Sequence, residues 1–290
     1  MQGAHGGVWE CPDLVEVAVE GSKEKKWVLI CNLNPGGPFG GSAAQYFVGS
    51  FDGKKFVNES PTQTKWLDWG KDNYATVTWS NAPAGRCIAL GWMSNWQYAN
   101  NVPTTQYRSA NTIARDLTLY RVENELYLKS KPSPEIEKAR VEKVDKSSFK
   151  VAGKYEIESL LRDNDGAYEI EMTSENAGAS KMAFCLMNAK GEKVSMYYDV
   201  LRKQFAMDRS QSGAVDFSRD FPALTVAPVD NAEKIHLRLF VDRCSVEAFG
   251  ENGRYAMTNL VFPSDTYNKM TFESDKKSFI VKSLKIYRLK

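Results

Sequence analysis

The chain has 290 residues, of which 42% are apolar and 26% charged, and its 38 Lys and Arg against 36 Asp and Glu leave a formal net charge of +2. That is an ordinary globular composition, long enough for two domains with substantial cores. The charge balance excludes strong steering of nucleic acid or of an anionic membrane, and no run approaches the ~18 apolar residues of a membrane span.

Near the amino terminus, Val8-Trp9-Glu10-Cys11-Pro12-Asp13-Leu14 opens onto a strand pattern, Val15–Val19. Pro12 denies Cys11 the α region, so the backbone there is extended or turning. Desolvation disfavours an ionised carboxyl, and Glu10, walled by Trp9 at the mouth of a strand, is placed like an acid that still holds its proton. Read without its neighbours, the same residue is a solvated strand-start Glu.

Short strand signals follow, separated by Gly, Asn, Asp and Pro turns, with almost no helical periodicity. Trp27–Leu33 lies beyond the charged turn Glu20-Gly21-Ser22-Lys23. The loop Asn34–Gly41 is rich in Gly and Pro but lacks the Gly-Lys-Ser/Thr ending of a phosphate cradle. Gln45–Phe51 and Lys55–Val57 read as a hairpin around Asp52-Gly53, with a type I′ turn expected. Thr76–Ser80 pairs with Arg86–Met93, and Arg115–Val122 with Glu125–Lys129. At ~40–45 residues per blade, the first ~134 residues supply about three blades of a β-propeller, one fewer than the smallest closed ring.

Lys131-Pro132-Ser133-Pro134 marks a boundary: the prolines stop a strand, Ser133 caps, and a short helix is expected from Glu135. The expected division is a partial propeller over 1–134, a helical linker over 135–146 and a β-sandwich over 147–290. Strands in the last part are expected at Tyr155–Leu161, Ala167–Met172, Met182–Met187, Val194–Asp199, Ile235–Val241, Cys244–Phe249 and Ser278–Tyr287. The fold class is therefore all-β.

The five cysteines form no Cys-x-x-Cys pair, and only His5 and His236 are present, so neither a disulfide framework, a metal centre nor a Ser–His catalytic pair is indicated. Seven Trp and thirteen Tyr suit the stacking of sugar rings as well as the filling of all-β cores. Met-Gln-Gly-Ala-His-Gly-Gly has neither the charged region nor the apolar core of a signal peptide.

Trp9-Glu10-Cys11-Pro12-Asp13-Leu14 resembles the Glu-Cys motif of glycoside hydrolase family 32, the invertases, levanases and inulinases. In the same order follow Gly36-Gly37-Pro38 with Gln45-Tyr46-Phe47-Val48-Gly49, and then Leu67-Asp68-Trp69-Gly70-Lys71-Asp72-Asn73-Tyr74-Ala75. Gly91-Trp92-Met93-Ser94-Asn95-Trp96-Gln97-Tyr98 comes next, and Phe240–Phe249 resembles the family's sandwich signature.

The resemblance implies a partial five-bladed propeller followed by a carboxy-terminal sandwich. It also implies cleavage of β-fructofuranosyl linkages in fructans (levan, inulin) or sucrose, with retention and without cofactor or metal. Glu10 resembles the general acid/base. Trp96 resembles the aromatic that lines the fructose subsite, against a plain packing role; Asp72 and Tyr74 resemble positions at the site rim, against a turn at a strand edge. Asn95 either bonds a sugar hydroxyl or caps a turn. The family's nucleophile and Arg-Asp-Pro motifs lie upstream of the Glu-Cys motif, and only nine residues precede Glu10. The chain therefore reads as the carboxy-terminal part of such an enzyme, exported by analogy, and expected to be inactive or nearly so when isolated. Two other readings stand beside it: a non-catalytic carbohydrate-binding fragment, and a structural module whose sandwich makes the contacts.

Overall fold

The computed structural model describes residues 2–290. The chain divides into two compact units: one takes it through Asn100 together with Thr104–Ser133 and Gly253–Thr258, and the other comprises Asn101–Pro103, Pro134–Asn252 and Asn259–Lys290.

In the first unit, β1 (Val8–Ala18), β2 (Lys25–Asn34), β3 (Ala43–Phe51) and β4 (Phe56–Asn58) form an antiparallel meander in that order, and the short β5 (Lys65–Trp66) pairs with β3. A second sheet contains β6 (Tyr74–Thr78), β7 (Ile88–Met93), β8 (Ala110–Asn111), β9 (Arg115–Val122) and β10 (Glu125–Pro132), ordered β10-β9-β7-β6 with β8 on β7. Alternation along the strands decides which side chains meet. Val28, Ile30, Ala44, Tyr46 and Val48 of the first sheet share one buried core with Ala89, Leu117, Leu119, Leu126 and Leu128 of the second.

Two five-stranded sheets thus use the length from which about three blades were expected. The stretches 59–73 and 94–114 contribute only the two-residue strands β5 and β8 to them. The hairpin at Asp52-Gly53 forms, but without the expected type I′ turn, which needs two left-handed residues; only Gly53 has a positive φ, of 91°. The Asp52 carboxylate instead accepts from the amides of Lys54 (2.8 Å) and Lys55 (2.7 Å), closing a wider loop.

Where a helical linker was expected, a 3-10 helix spans Pro134–Ala139 and gives way to β11 (Arg140–Lys146), which pairs with the final strand. A helix this short is marginal. At its end the Arg140 guanidinium is pinned to the fully buried Glu169 carboxylate by two bonds of 2.8 Å, and the chain turns into the sheet.

The second unit continues with β12 (Phe149–Ile157), β13 (Tyr168–Ala177), β14 (Lys181–Met187), β15 (Lys193–Asp199), β16 (Gln204–Gln211), β17 (Leu224–Pro228), β18 (Lys234–Asp242) and β19 (Ser245–Gly250). After β20 (Tyr255–Leu260) comes β21 (Lys269–Leu289). Strand order runs β17-β16-β15-β14-β21-β13-β18-β19. The long β21 joins the two halves, since Lys269–Ser274 pair with β14 and Ser278–Arg288 with β13. One strand that serves two layers is how a sandwich turns its corner.

Candidate active site

Glu10 lies on β1, the edge strand of the first sheet, opposite Asn32. The pairing is broken between Glu10 and Asp13 by a bulge, where Cys11 takes φ 44°. β6 carries a matching irregularity between Tyr74 and Val77, with Ala75 at φ 49°. Bulges re-aim side chains, and both of these are held from outside. The fully buried Asn32 donates through Nδ2 to the carbonyls of Cys11 (3.3 Å) and Thr76 (3.2 Å), and accepts from the Thr76 amide (3.0 Å) at Oδ1. The Asp13 carboxylate accepts from the amide (2.5 Å) and hydroxyl (2.7 Å) of Thr78.

These clamps hold β1 and β6 so that the Tyr74 hydroxyl donates to Oε2 of Glu10. Glu10 is solvent-exposed, whereas Tyr74 is only 3% exposed. Burial, reinforced by the hydrogen bond to the Glu10 carboxylate, pushes the Tyr74 phenol well above its ordinary range, so it remains a donor. The wall beside Glu10 is therefore Tyr74, not Trp9 as expected. Consecutive strand residues point to opposite faces, and the Trp9 ring instead stacks on His5 (5.2 Å between centroids) and tilts against Phe47 (5.8 Å).

From Tyr74 a row of aromatics continues. Trp92, its cross-strand partner, packs edge-on to it at 6.3 Å, and Trp96 lies 4.9 Å beyond Trp92. Trp96 is 50% exposed, and its backbone amide donates to Ser42 Oγ at 3.1 Å. The row thus runs from the exposed Glu10 carboxylate through the Tyr74 and Trp92 rings to the half-exposed ring of Trp96.

The other candidate residues are used internally. Asn95 is fully buried, donating to the carbonyls of Gly40 (3.2 Å), Ser42 (3.4 Å) and Lys71 (2.9 Å) and accepting from the amides of Ser42 (3.3 Å) and Gln97 (3.0 Å). It ties the Gly-rich loop to the segment that carries Trp96. Gly41, at φ 70°, is required there because a Cβ would overlap Asn95 Oδ1. Asp72 is likewise fully buried and accepts from the Tyr98 hydroxyl at 2.6 Å.

Arg115 and Asp116, the first two residues of β9, have structural partners. Arg115 is buried in contact with Asp68 (2.8 Å) and Thr258 Oγ1 (2.6 Å), while Asp116 holds Arg86 through two bonds of 2.7 Å. Trp92 and Asn32 were not singled out from sequence. Trp92 sat inside a quoted motif, but only the fold places it between Tyr74 and Trp96.

The strands are those of an all-β protein in which propeller-type sheets precede a β-sandwich along the chain, and the comparisons specify the family. The profile of the glycosyl hydrolases family 32 N-terminal domain matches residues 1–132, and that of the family 32 C-terminal domain matches residues 135–288. The chain belongs to glycoside hydrolase family 32.

Among curated relatives it is similar to a levanase of Bacillus subtilis (strain 168), with 38% identity over 300 residues, covering 100% of this chain and 44% of that protein. An extracellular exo-inulinase of Aspergillus niger is 35% identical over 286 residues, covering 90% and 51%. The chain thus spans about half the length of these relatives. Among solved structures, exo-inulinase from Aspergillus awamori superposes with a TM-score of 0.89 at 30% identity, covering 100% of this chain and 58% of that one. A β-fructofuranosidase from Schwanniomyces occidentalis, complexed with fructosyl-erythritol, gives 0.87 at 30% identity, covering 99% and 61%.

Proposed function

We propose that this chain is the carboxy-terminal part of a β-fructosidase that hydrolyses fructan or sucrose with retention, and that Glu10 is its general acid/base. The observation that carries this reading is the exposed Glu10 carboxylate, held by Tyr74 at the end of the Tyr74–Trp92–Trp96 row. A retaining glycosidase needs a second carboxylate about 5–5.5 Å from the acid. Asp13 is taken by Thr78 and Asp72 by Tyr98, so the nucleophile is assigned to polypeptide upstream of this chain. In this scheme Glu10 protonates the leaving oxygen and then takes a proton from the attacking water. Trp96 receives the sugar face, whereas Asn95 and Asp72 shape the loops around it without touching substrate. Relatives named extracellular support an exported enzyme, and no helix among the described residues is long and apolar enough to cross a membrane.

Two measurements test this. A blot of source cells against the sandwich is expected to show a band well above 32.6 kDa. The 290-residue chain alone is expected to release no fructose from levan or sucrose; release that Glu10→Ala abolishes would overturn the assignment of the nucleophile to another segment. The half-exposed Trp96 also favours a second reading, a fragment that binds carbohydrate without cleaving it. Fructan binding that Trp96→Ala abolishes, together with a native mass of 32.6 kDa, selects that reading.

A further inference from the structure

β2 ends on Asn32, Leu33 and Asn34, and the two asparagines share one face of the strand. Asn32 pairs across the sheet with Glu10, and Asn34 with Val8. Through its bonds to Cys11 and Thr76, Asn32 reaches both of the bulges that flank the Glu10–Tyr74 contact.

Asn34 serves the other end of the aromatic row. Its Oδ1 accepts from the Ser42 hydroxyl at 3.1 Å, and the same hydroxyl oxygen accepts from the Trp96 amide at 3.1 Å. Ser42 is 3% exposed and immediately precedes β3, so one buried hydroxyl joins the ends of β2 and β3 to the segment between β7 and β8 that carries Trp96. Asn32 with Cys11 and Thr76, and Asn34 with Ser42 and Trp96, are two sets of bonds that share no residue. What they have in common is the strand that bears both asparagines.

We infer that β2 positions the two ends of the site separately: Asn32 is the positioning residue for the Glu10–Tyr74 contact, and Asn34, acting through Ser42, positions the Trp96 ring. The inference rests on the proposed reading of Glu10 as acid/base and of Trp96 as the aromatic that receives the sugar. Reacting groups lose rate steeply when displaced by about 1 Å, and groups fixed to strands are held more closely than groups on loops. Trp96 lies outside the strands, and its bond to Ser42 lends it the rigidity of β2. Loss of the Asn32 bonds therefore falls on the chemical step, and loss of the Ser42 bonds on sugar binding.

Fluorine NMR of the 290-residue chain, labelled with fluorotyrosine and fluorotryptophan, tests it, the signals being assigned by Tyr74→Phe and Trp96→Phe. Asn32→Ala is expected to displace the Tyr74 signal and leave that of Trp96 in place, and Ser42→Ala to do the reverse. Displacement of both signals by either variant, or of neither signal by both variants, overturns the inference. Where Asn32→Ala does not fold, Asn32→Ser removes the same reach while keeping a polar group, and Asn34→Ala deletes the bond to Ser42 while sparing the Ser42 hydroxyl. In the longer enzyme Asn32→Ala is expected to lower kcat on levan roughly tenfold with KM within about twofold. Ser42→Ala is expected to raise KM roughly three- to tenfold with kcat within about twofold. Equal changes in both parameters from the two variants overturn the inference and leave the proposed function standing. Selective ring displacements without fructose release by the longer protein overturn the proposed function and leave the two positioning roles standing.

Discussion

Tyr74 and Glu10, 64 residues apart and on different sheets, are joined by a hydrogen bond from a buried phenol to an exposed carboxylate. Tyr74→Phe keeps the ring against Trp92 and deletes only the donor. The expected loss of stability is about 1 kcal/mol, measured by denaturant unfolding. In the longer enzyme the same change is expected to lower kcat and alter the pH profile while KM stays near its original value, because the acid loses its positioning and the aromatic row remains. An unaltered pH profile would show that Tyr74 only packs.

Four tyrosines make stability sensitive to alkali. Burial pushes the phenols of Tyr46, Tyr74, Tyr168 and Tyr267 well above the ordinary value of 10.0. In the unfolded chain they lose protons near that value, while the folded protein keeps them. The unfolded state thus binds fewer protons above this pH, and stability falls as pH rises through and beyond it. Below it their contribution is fully present. Thermal midpoints are expected to be flat with respect to these groups up to about pH 10 and to fall steeply above it. Phenolate absorbance for these four residues should appear together with unfolding; independent early ionisation would refute the account.

Thiol reactivity should separate the cysteines by position. Cys11 is exposed at the bulge. Cys31 is held up at about 11 by burial and by the neighbouring Cys11, and Cys87 at about 12 by burial and then by the carboxylates of Asp13 and Asp116. The thiolate is the reactive form, so iodoacetamide at neutral pH is expected to modify Cys11 first and to reach Cys31 and Cys87 only on unfolding. Mass spectrometry of the digested protein reads the order directly.

Neighbouring residues Asn95 and Trp96 should respond in opposite ways. Asn95→Ala leaves buried carbonyls and amides without partners and is expected to cost about 3 kcal/mol, by the usual penalty for unsatisfied buried groups. Trp96→Ala removes a half-exposed ring and is expected to cost less stability but most of the fructan binding, read by calorimetry. If Asn95→Ala proves neutral in stability and abolishes binding, Asn95 contacts the sugar after all.

Strand alternation and turn residues revealed the all-β class, the paired strands around Asn81–Gly85 and Glu123-Asn124, and the family likeness around Glu10. Three kinds of feature were not legible. A contact such as Tyr74 to Glu10 depends on the mutual placement of two bulges, and no periodicity encodes it. Asn32 looks like an ordinary strand residue until Cys11 and Thr76 are brought to its two ends. Strands such as β20, Tyr-Ala-Met-Thr-Asn-Leu, are buried at every position and show no polar alternation to read. Asp52-Gly53 gave the turn's location but not its type, because the Asp side chain closed a wider loop.

The division of β21 between two layers sets an order of events during synthesis. Lys269–Ser274 and Ser278–Arg288 supply the shared edge for β14 and for β13, and β11 and β12 pair with the same strand. Every layer of the sandwich therefore waits for β21 to leave the ribosome, which places its closure after translation has passed Leu289. Until then the growing chain holds β13 and β14 with unpaired edges, the interval in which a chaperone has most to protect.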